Sequence, residues 1–279
     1  MAEVKNRLEV VLFTPDPQFA RQASAAGVDA ILIDWERHNK ASRQTGYDTQ
    51  IGTDSPEDAR RMAEAVDIPV YVRIDRCRGD VDSEVELALD CGARGIMLPM
   101  AQTPQEVEAF VNAVAGRART IVQLETQSLI QRLPEINSIG WDCAYIGLND
   151  LMISRGAKWL FEPIADGTVE SIFRLLAGRR IGFGGITVVG NGMPVPFTSL
   201  LREMARLGCS MSFLRRSFHR DIAGRDMAME MKAVRTTWEA CCLRSPEAVR
   251  SDHEVFVAQV IGSQPNATSL VQRTTAASL

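Results

Sequence analysis

The sequence predicts a single (β/α)₈ TIM barrel. Three observations carry this. There are eight short β-branched runs, segments of helical period lie between them, and the 279-residue length fits the roughly 250 residues such a barrel needs. The runs are LEVVLF (8–13), DAILID (29–34), PVYVRI (69–74), GIMLPM (95–100), TIVQLE (120–125), CAYIGL (143–148), RIGFGGI (180–186) and SMSFL (210–214). Several lack polar alternation, as strands buried on both faces do.

The connecting segments PDPQFARQASAAG, SPEDARRMAEAV, SEVELALDCG, TPQEVEAFVNAVAG and FTSLLREMARLG repeat apolar residues at i, i+3, i+4 and i+7, the mark of amphipathic crossover helices. Thr14-Pro15, Ser55-Pro56 and Thr103-Pro104 read as N-caps followed by proline, and Gly27, Gly92, Gly116 and Gly208 as the stops. A doubly wound open sheet is the competing architecture. Its GxGxxG fingerprint after the first strand is missing.

A helical stretch over 218–242 and the following SPEAVRSDHEVFVAQVIG exceed what one barrel requires. The division expected is a catalytic barrel over 1–242, a helical extension over 243–262 and a polar, disordered tail over 263–279. An extension of this kind commonly forms an oligomer interface, so a homo-oligomer is expected, with capping of one barrel end as the alternative.

Composition narrows the partners. Lys+Arg at 31 against Asp+Glu at 35 gives a net charge of -4, and 46% apolar with 24% charged residues is ordinary globular composition. Mild acidity gives no general reason to bind nucleic acid or an anionic membrane. The six cysteines (77, 91, 143, 209, 241 and 242) show no CxxC spacing and read as reduced thiols. No run approaches the roughly 18 to 20 apolar residues of a membrane span, and the first residues lack a signal peptide's apolar stretch. A cytoplasmic location is expected, which makes the sequon Asn266-Ala-Thr268 a chance match.

Barrel enzymes place their chemistry where strands end. Here strand two ends in Asp34-Trp35-Glu36-Arg37-His38, strand three in Arg73, strand five in Gln123-Leu124-Glu125, and strand six in Gly147-Leu148-Asn149-Asp150. Glu125 and Asp150 leave adjacent strands at one rim level and can hold a hard divalent cation such as Mg²⁺, with other positions left to water and substrate oxygens. The alternative is that Glu125 caps a helix and Asp150 closes an Asx turn. No His/Cys cluster suggests structural zinc.

Arg73 ends an apolar strand, so it faces the mouth as an anion or enolate holder or else pairs with Asp34 or Glu36. The turn over Gly147–Asp150 offers backbone N–H groups to a carboxylate. His38 is the titratable candidate for proton transfer, with a solvated loop histidine as the alternative. Arg215 and Arg216, with Gly184 and Gly185, can hold a second carboxylate or a phosphate. A solvated basic turn is the other reading.

Together, ILIDWE (31–36), PVYVR (69–73), GARGIMLPMAQTPQEVEAFV (92–111), VQLETQ (122–127) and YIGLNDL (145–151) resemble the HpcH/HpaI aldolase and citrate lyase β-subunit superfamily over about residues 8–155. The most specific element is the pairing of QxET with GxxDL. The resemblance implies that Glu125 and Asp150 bind Mg²⁺, with Mn²⁺ or Co²⁺ as substitutes, that Arg73 contacts the keto or enolate oxygen of pyruvate, and that Gln123 lines the pocket. It implies a metal-dependent class II aldolase acting on a 2-oxo acid, with the amides around Leu148 and Asn149 holding the carboxylate. In the aldolase branch a histidine paired with the strand-two aspartate, here Asp34, is the acid/base. Arg37 stands at that histidine's place and His38 follows it, leaving His38 or a metal-bound water for the proton. The aldolases' Arg/Gly-rich loop before strand five is absent, and the match fades after about residue 156. A citrate- or malyl-CoA-type thioester lyase and a non-catalytic metal-binding barrel are the other readings.

Overall fold

The computed structural model describes residues 7–36, 54–75, 80–157 and 159–263. Eight parallel strands follow one another in chain order: β1 (Glu9–Phe13), β2 (Ala30–Asp34), β3 (Val70–Arg73), β4 (Gly95–Leu98), β5 (Arg119–Leu124), β6 (Cys143–Ile146), β7 (Arg180–Ile186) and β8 (Met211–Leu214). β8 returns to pair with β1, Val11 opposite Phe213, and the barrel closes. Each expected strand is present, with its ends within two residues of expectation: β5 starts one residue early, β7 keeps its expected bounds, and the others are shorter.

The crossovers are α1 (Pro17–Ala25), α2 (Pro56–Ala65), α3 (Val81–Asp90), α4 (Pro104–Val114), α5 (Gln127–Ile130), α6 (Leu133–Asn137), α7 (Leu148–Ser154), α8 (Glu162–Ala165), α9 (Thr168–Leu175) and α10 (Phe197–Arg206). Ser55 and Thr103 cap α2 and α4 through reciprocal boxes with Asp58 and Glu106. The four expected stops all have positive φ: Gly27 at 94°, Gly92 at 85°, Gly116 at 72° and Gly208 at 72°. The cap of α1 departs from expectation. Asp16, directly before Pro17, accepts from the Gln18 and Phe19 amides, and the Thr14 hydroxyl only receives the Asp16 N–H at 3.2 Å. With prolines at both 15 and 17, the carboxylate nearer the helix takes the capping position.

Strand alternation sorts the core into two layers. Val11, Ala30, Leu32, Tyr71, Met97, Ile121, Cys143, Tyr145, Met211 and Phe213 fill the barrel lumen. Their neighbours in sequence, among them Val10, Ile31, Val72, Ile96, Val122, Ala144 and Leu214, pack outward under the helices. The lower end of the lumen is closed by Glu9, which accepts from the Tyr71 hydroxyl at 2.6 Å, from Arg119 at 2.8 Å and from Arg180 at 2.9 Å.

The helical stretch expected over about 218–242 is divided into α11 (Ser217–Asp221) and α12 (Met227–Cys242), with Gly224 at φ 75° between them. The extension is α13 (Pro246–Gly262), which packs back on α10 and α8 of its own barrel through Phe256 and Val260. Buried Glu203 of α10 anchors it, accepting from Arg206 at 2.8 Å and meeting the His253 ring at 3.0 Å. No described helix is long and apolar enough to cross a membrane. The tail beyond 263 lies outside the described residues.

Candidate active site

Alternation decides which strand-end side chains reach the mouth. On β2, Ala30 and Leu32 line the lumen, so Asp34 does as well. On β3, Arg73 follows Tyr71 on that face, and register places it directly opposite Asp34. The two close a bidentate pair, Nε to Oδ1 at 2.9 Å and Nη2 to Oδ2 at 2.7 Å. Glu36 Oε2 lies 3.5 Å from Nη2, and Nη1 donates to Gln123 Oε1 at 3.3 Å. The guanidinium also stands 5.5 Å from the Phe13 ring centroid. Burial works against its charge, but Asp34 and then Glu36 outweigh that, so Arg73 stays above its ordinary pKa. The ion pair expected as the alternative for Arg73 therefore exists, and it orients the side chain while Nη1 reaches across the mouth.

Glu125 continues the lumen face of β5 beyond Ile121 and Gln123 and is 1% exposed. Its Oε1 accepts the Met100 N–H at 2.8 Å. Its Oε2 is buried and has no hydrogen-bond partner among the described residues. Met100 reaches this donor position with φ at 55°, a left-handed conformation for a residue with a side chain, which costs about 1 kcal/mol or more. Burial first, then Asp150 and Glu36, push the Glu125 carboxyl well above the usual range, against the pull of Arg73 and the Met100 N–H. Asp150 lies in the first turn of α7 and is itself buried.

The site thus gathers Asp34, Glu36 and Glu125 around one guanidinium, with Asp150 acting on Glu125. That charge balance, with two repelling carboxylates and a bare oxygen on Glu125, fits a hard divalent cation held by Glu125 and Asp150. No group of three or more His, Cys, Asp or Glu converges as a ligand set among the described residues. Such a cation would then depend on water and substrate oxygens for its other positions. The alternatives of a helix cap for Glu125 and an Asx turn for Asp150 do not describe this arrangement: Thr126 caps α5, and Asp150 sits within a helix.

Gly147 closes the same corner. A Cβ built there would lie 2.3 Å from Glu125 Oε2 and 2.9 Å from Gln123 Nε2. Its N–H is spent on Leu124 O at 3.2 Å, so this residue supplies space, and the donors available to a carboxylate are the first-turn amides at Leu148 and Asn149. Arg216 is exposed at the start of α11, while Arg215 is partly buried. His38 and Arg37 lie outside the described residues. Strand-end reading missed Met100, because a backbone N–H has no signature in the side-chain sequence, and Phe13, which reads simply as strand. Glu36 was foreseen only as a partner for Arg73, although its two-residue spacing from Asp34 already put it on the lumen face.

A model of the HpcH/HpaI aldolase/citrate lyase family matches residues 9–162. No curated protein matches the chain. An HpcH/HpaI aldolase/citrate lyase family protein from Burkholderia cenocepacia J2315 is 18% identical, with 85% of this chain and 95% of that one covered at a TM-score of 0.57. The HpcH/HpaI aldolase from Desulfitobacterium hafniense DCB-2 is 16% identical, with 86% and 95% covered and a TM-score of 0.59. The citrate synthase SbnG is 19% identical, with 85% and 93% covered and a TM-score of 0.57. At these identities the structural likeness shows the barrel alone.

Proposed function

Because the chain belongs to the HpcH/HpaI aldolase/citrate lyase family, a lyase family, we propose that it is a divalent-metal-dependent carbon–carbon lyase acting on a 2-oxo acid through a pyruvate-type enolate. The observation that carries this reading is the Glu125–Asp150 corner: a buried carboxylate with one bare oxygen, its pKa raised by burial and then by its acidic neighbour, beside a guanidinium oriented by Asp34.

Bond making or breaking next to a pyruvoyl group develops negative charge on the keto oxygen, and stabilising that charge is worth several kcal/mol. A bound divalent ion would polarise that oxygen as a Lewis acid. Glu125 and Asp150 are the residues that would hold it. Arg73 Nη1 offers a charged donor to the enolate oxygen, while Asp34 keeps its fork in one orientation. Gln123 bridges the guanidinium to the Gly147 corner. The amides of Leu148 and Asn149, in the first turn of α7, would receive the substrate carboxylate. Both Asp34 oxygens are engaged by Arg73, which makes Asp34 a positioning residue and leaves the proton to His38 or water. A homo-oligomer in the cytoplasm belongs to the same proposal.

The test is exchange of the pyruvate methyl protons in D₂O, followed by NMR alongside oxaloacetate decarboxylation, with Mg²⁺, Mn²⁺ and Co²⁺. Metal-dependent exchange that Glu125→Gln abolishes is the expected result. If no metal supports exchange or decarboxylation, the enolate mechanism is wrong.

A further inference from the structure

We propose that Arg215 reads a second oxyanionic group on the substrate, so that the preferred 2-oxo acid is a dianion. This rests on the reading of Glu125, Asp150 and Arg73 above and adds to it the substrate's far end.

The geometry comes from strand alternation. On β8, Met211 and Phe213 line the lumen while Leu214 packs outward. Pairing with β7 continues past the end of β8, since the Arg215 N–H donates to Ile186 O at 2.8 Å. The alternation therefore continues too, and Arg215 stands on the Phe213 side, one layer higher at the mouth. Gly185 gives an independent marker of the same face. A bulge between Gly182 and Gly185 resets the register of β7, and a Cβ on Gly185 would come 3.2 Å from the Arg215 Cβ. Below Arg215 the Phe213 ring stacks on Tyr145 at 3.8 Å and meets Phe13 edge-on at 4.8 Å. Phe13 in turn carries Arg73 over its face. One aromatic floor thus runs from Arg73 to Arg215.

The charges differ across that floor. Arg73 is matched by Asp34 and Glu36, whereas Arg215 Nε is buried with no hydrogen-bond partner among the described residues. The described charge acting on Arg215 is Asp221, which is occupied by the Thr187 hydroxyl at 2.7 Å and by Arg220 at 3.0 Å. Burial works against the charge of both arginines; at Arg215 the single acid Asp221 does not offset it and the pKa is lowered, whereas Asp34 and Glu36 leave Arg73 raised. A guanidinium fork left in this state is completed by a planar oxyanion, which it binds bidentately. Arg216 is exposed at the start of α11 and does not share the lumen face. β6, which leads into Asp150, and β8 are two strands apart, so roughly 10 Å of wall separates the two ends of the site. A short acid chain and the arginine's own stem can span that together.

The experiment is titration calorimetry with Mg²⁺ present, comparing 2-oxoglutarate with 2-oxopentanoate. These acids share a chain length and differ in the distal carboxylate. A 2-oxo acid ending in a phosphonate distinguishes a phosphate site from a carboxylate site by which dianion binds more tightly. The unsubstituted protein should prefer the dianion by about 10- to 100-fold, the value of a charge-assisted bidentate contact. In R215M that ratio should fall to near one, and R215K should restore part of it. R215Q gives the same reading if R215M does not fold. A ratio near one in the unsubstituted protein, or a ratio retained in R215M and R215Q, overturns the proposal. Failure of the underlying reading looks different: neither acid binds, or E125Q binds both as the unsubstituted protein does.

Discussion

Gly147 lies against the Glu125 carboxylate so closely that a single added methyl would stand 2.3 Å from Oε2. Neither neighbour can simply retreat, because Glu125 is held by the Met100 N–H and Gln123 by Arg73. Gly147→Ala should therefore displace the carboxylate and weaken divalent-metal affinity by about 10- to 100-fold, as disturbing the support of a metal ligand does. Overpacking should cost about 1–3 kcal/mol of stability. Metal titration and thermal unfolding measure the two effects, and an unchanged metal affinity would remove Gly147 from the site.

The repulsion between Glu125 and Asp150 gives a prediction about stability. Without metal, burial and then Asp150 disfavour the ionised form of Glu125, so Glu125→Gln should melt at or above the temperature of the unsubstituted protein. Saturating Mg²⁺ or Mn²⁺ at about 100 times Kd adds about 2.7 kcal/mol, roughly 5–10 °C for a chain of this size. E125Q should show no such rise. A metal-dependent shift of equal size in both proteins would place the ion elsewhere.

Asp34 and Arg73 form a buried pair, and removing one member strands the other. Asp34→Ala should lose about 3 kcal/mol, the low end for a broken buried pair, because Glu36 still faces the guanidinium. The double variant D34A/R73M should recover much of that stability in urea unfolding yet have no turnover. If D34A unfolds at the same urea concentration as the unsubstituted protein, the pair is not under the load that its burial implies.

Burial pushes the Cys143 and Cys209 thiols up to about 12. Such thiols are protonated near neutrality, so neither should react with iodoacetamide in the folded protein at pH 8, as peptide mass spectrometry would show. The raised pKa also sets an alkaline limit. Unfolded thiols ionise near pH 8.5, so above that the unfolded state sheds protons that the fold retains, and each thiol removes about 1.4 kcal/mol per pH unit until its folded pKa is reached. Stability should decline between about pH 9 and 12, and Cys209→Ala should flatten part of that slope. An unchanged slope in C209A would show that another group governs alkaline unfolding.

Much of the fold was legible because its signals are local. Ser55 and Thr103 announce their helices through residues three positions away, and the capping boxes are present. Asp16 displaced Thr14 because two nearby prolines give the same composition two workable starts. The break at Gly224 within the helical stretch expected over about 218–242 was not read, because the helical period continues on both sides of it. At the site, Arg73, Gln123, Glu125 and Asp150 were legible as polar ends of apolar strands. Their relation to Glu36 and Met100 was not, since it depends on register between strands far apart in sequence.

By itself the sequence determined the strands, most helix ends, the closing length of the barrel and the polar residues at its mouth. Periodicity, caps and propensity act over a few residues and are written into the chain directly. Only the tertiary structure decided that Asp34 holds Arg73, that Glu125 keeps one bare oxygen beside Asp150, and that Arg215 faces the lumen while Arg216 does not. Those outcomes depend on closure of the barrel and on a bulge in β7, which set alternation and burial together, and the energy of a charge depends on what surrounds it.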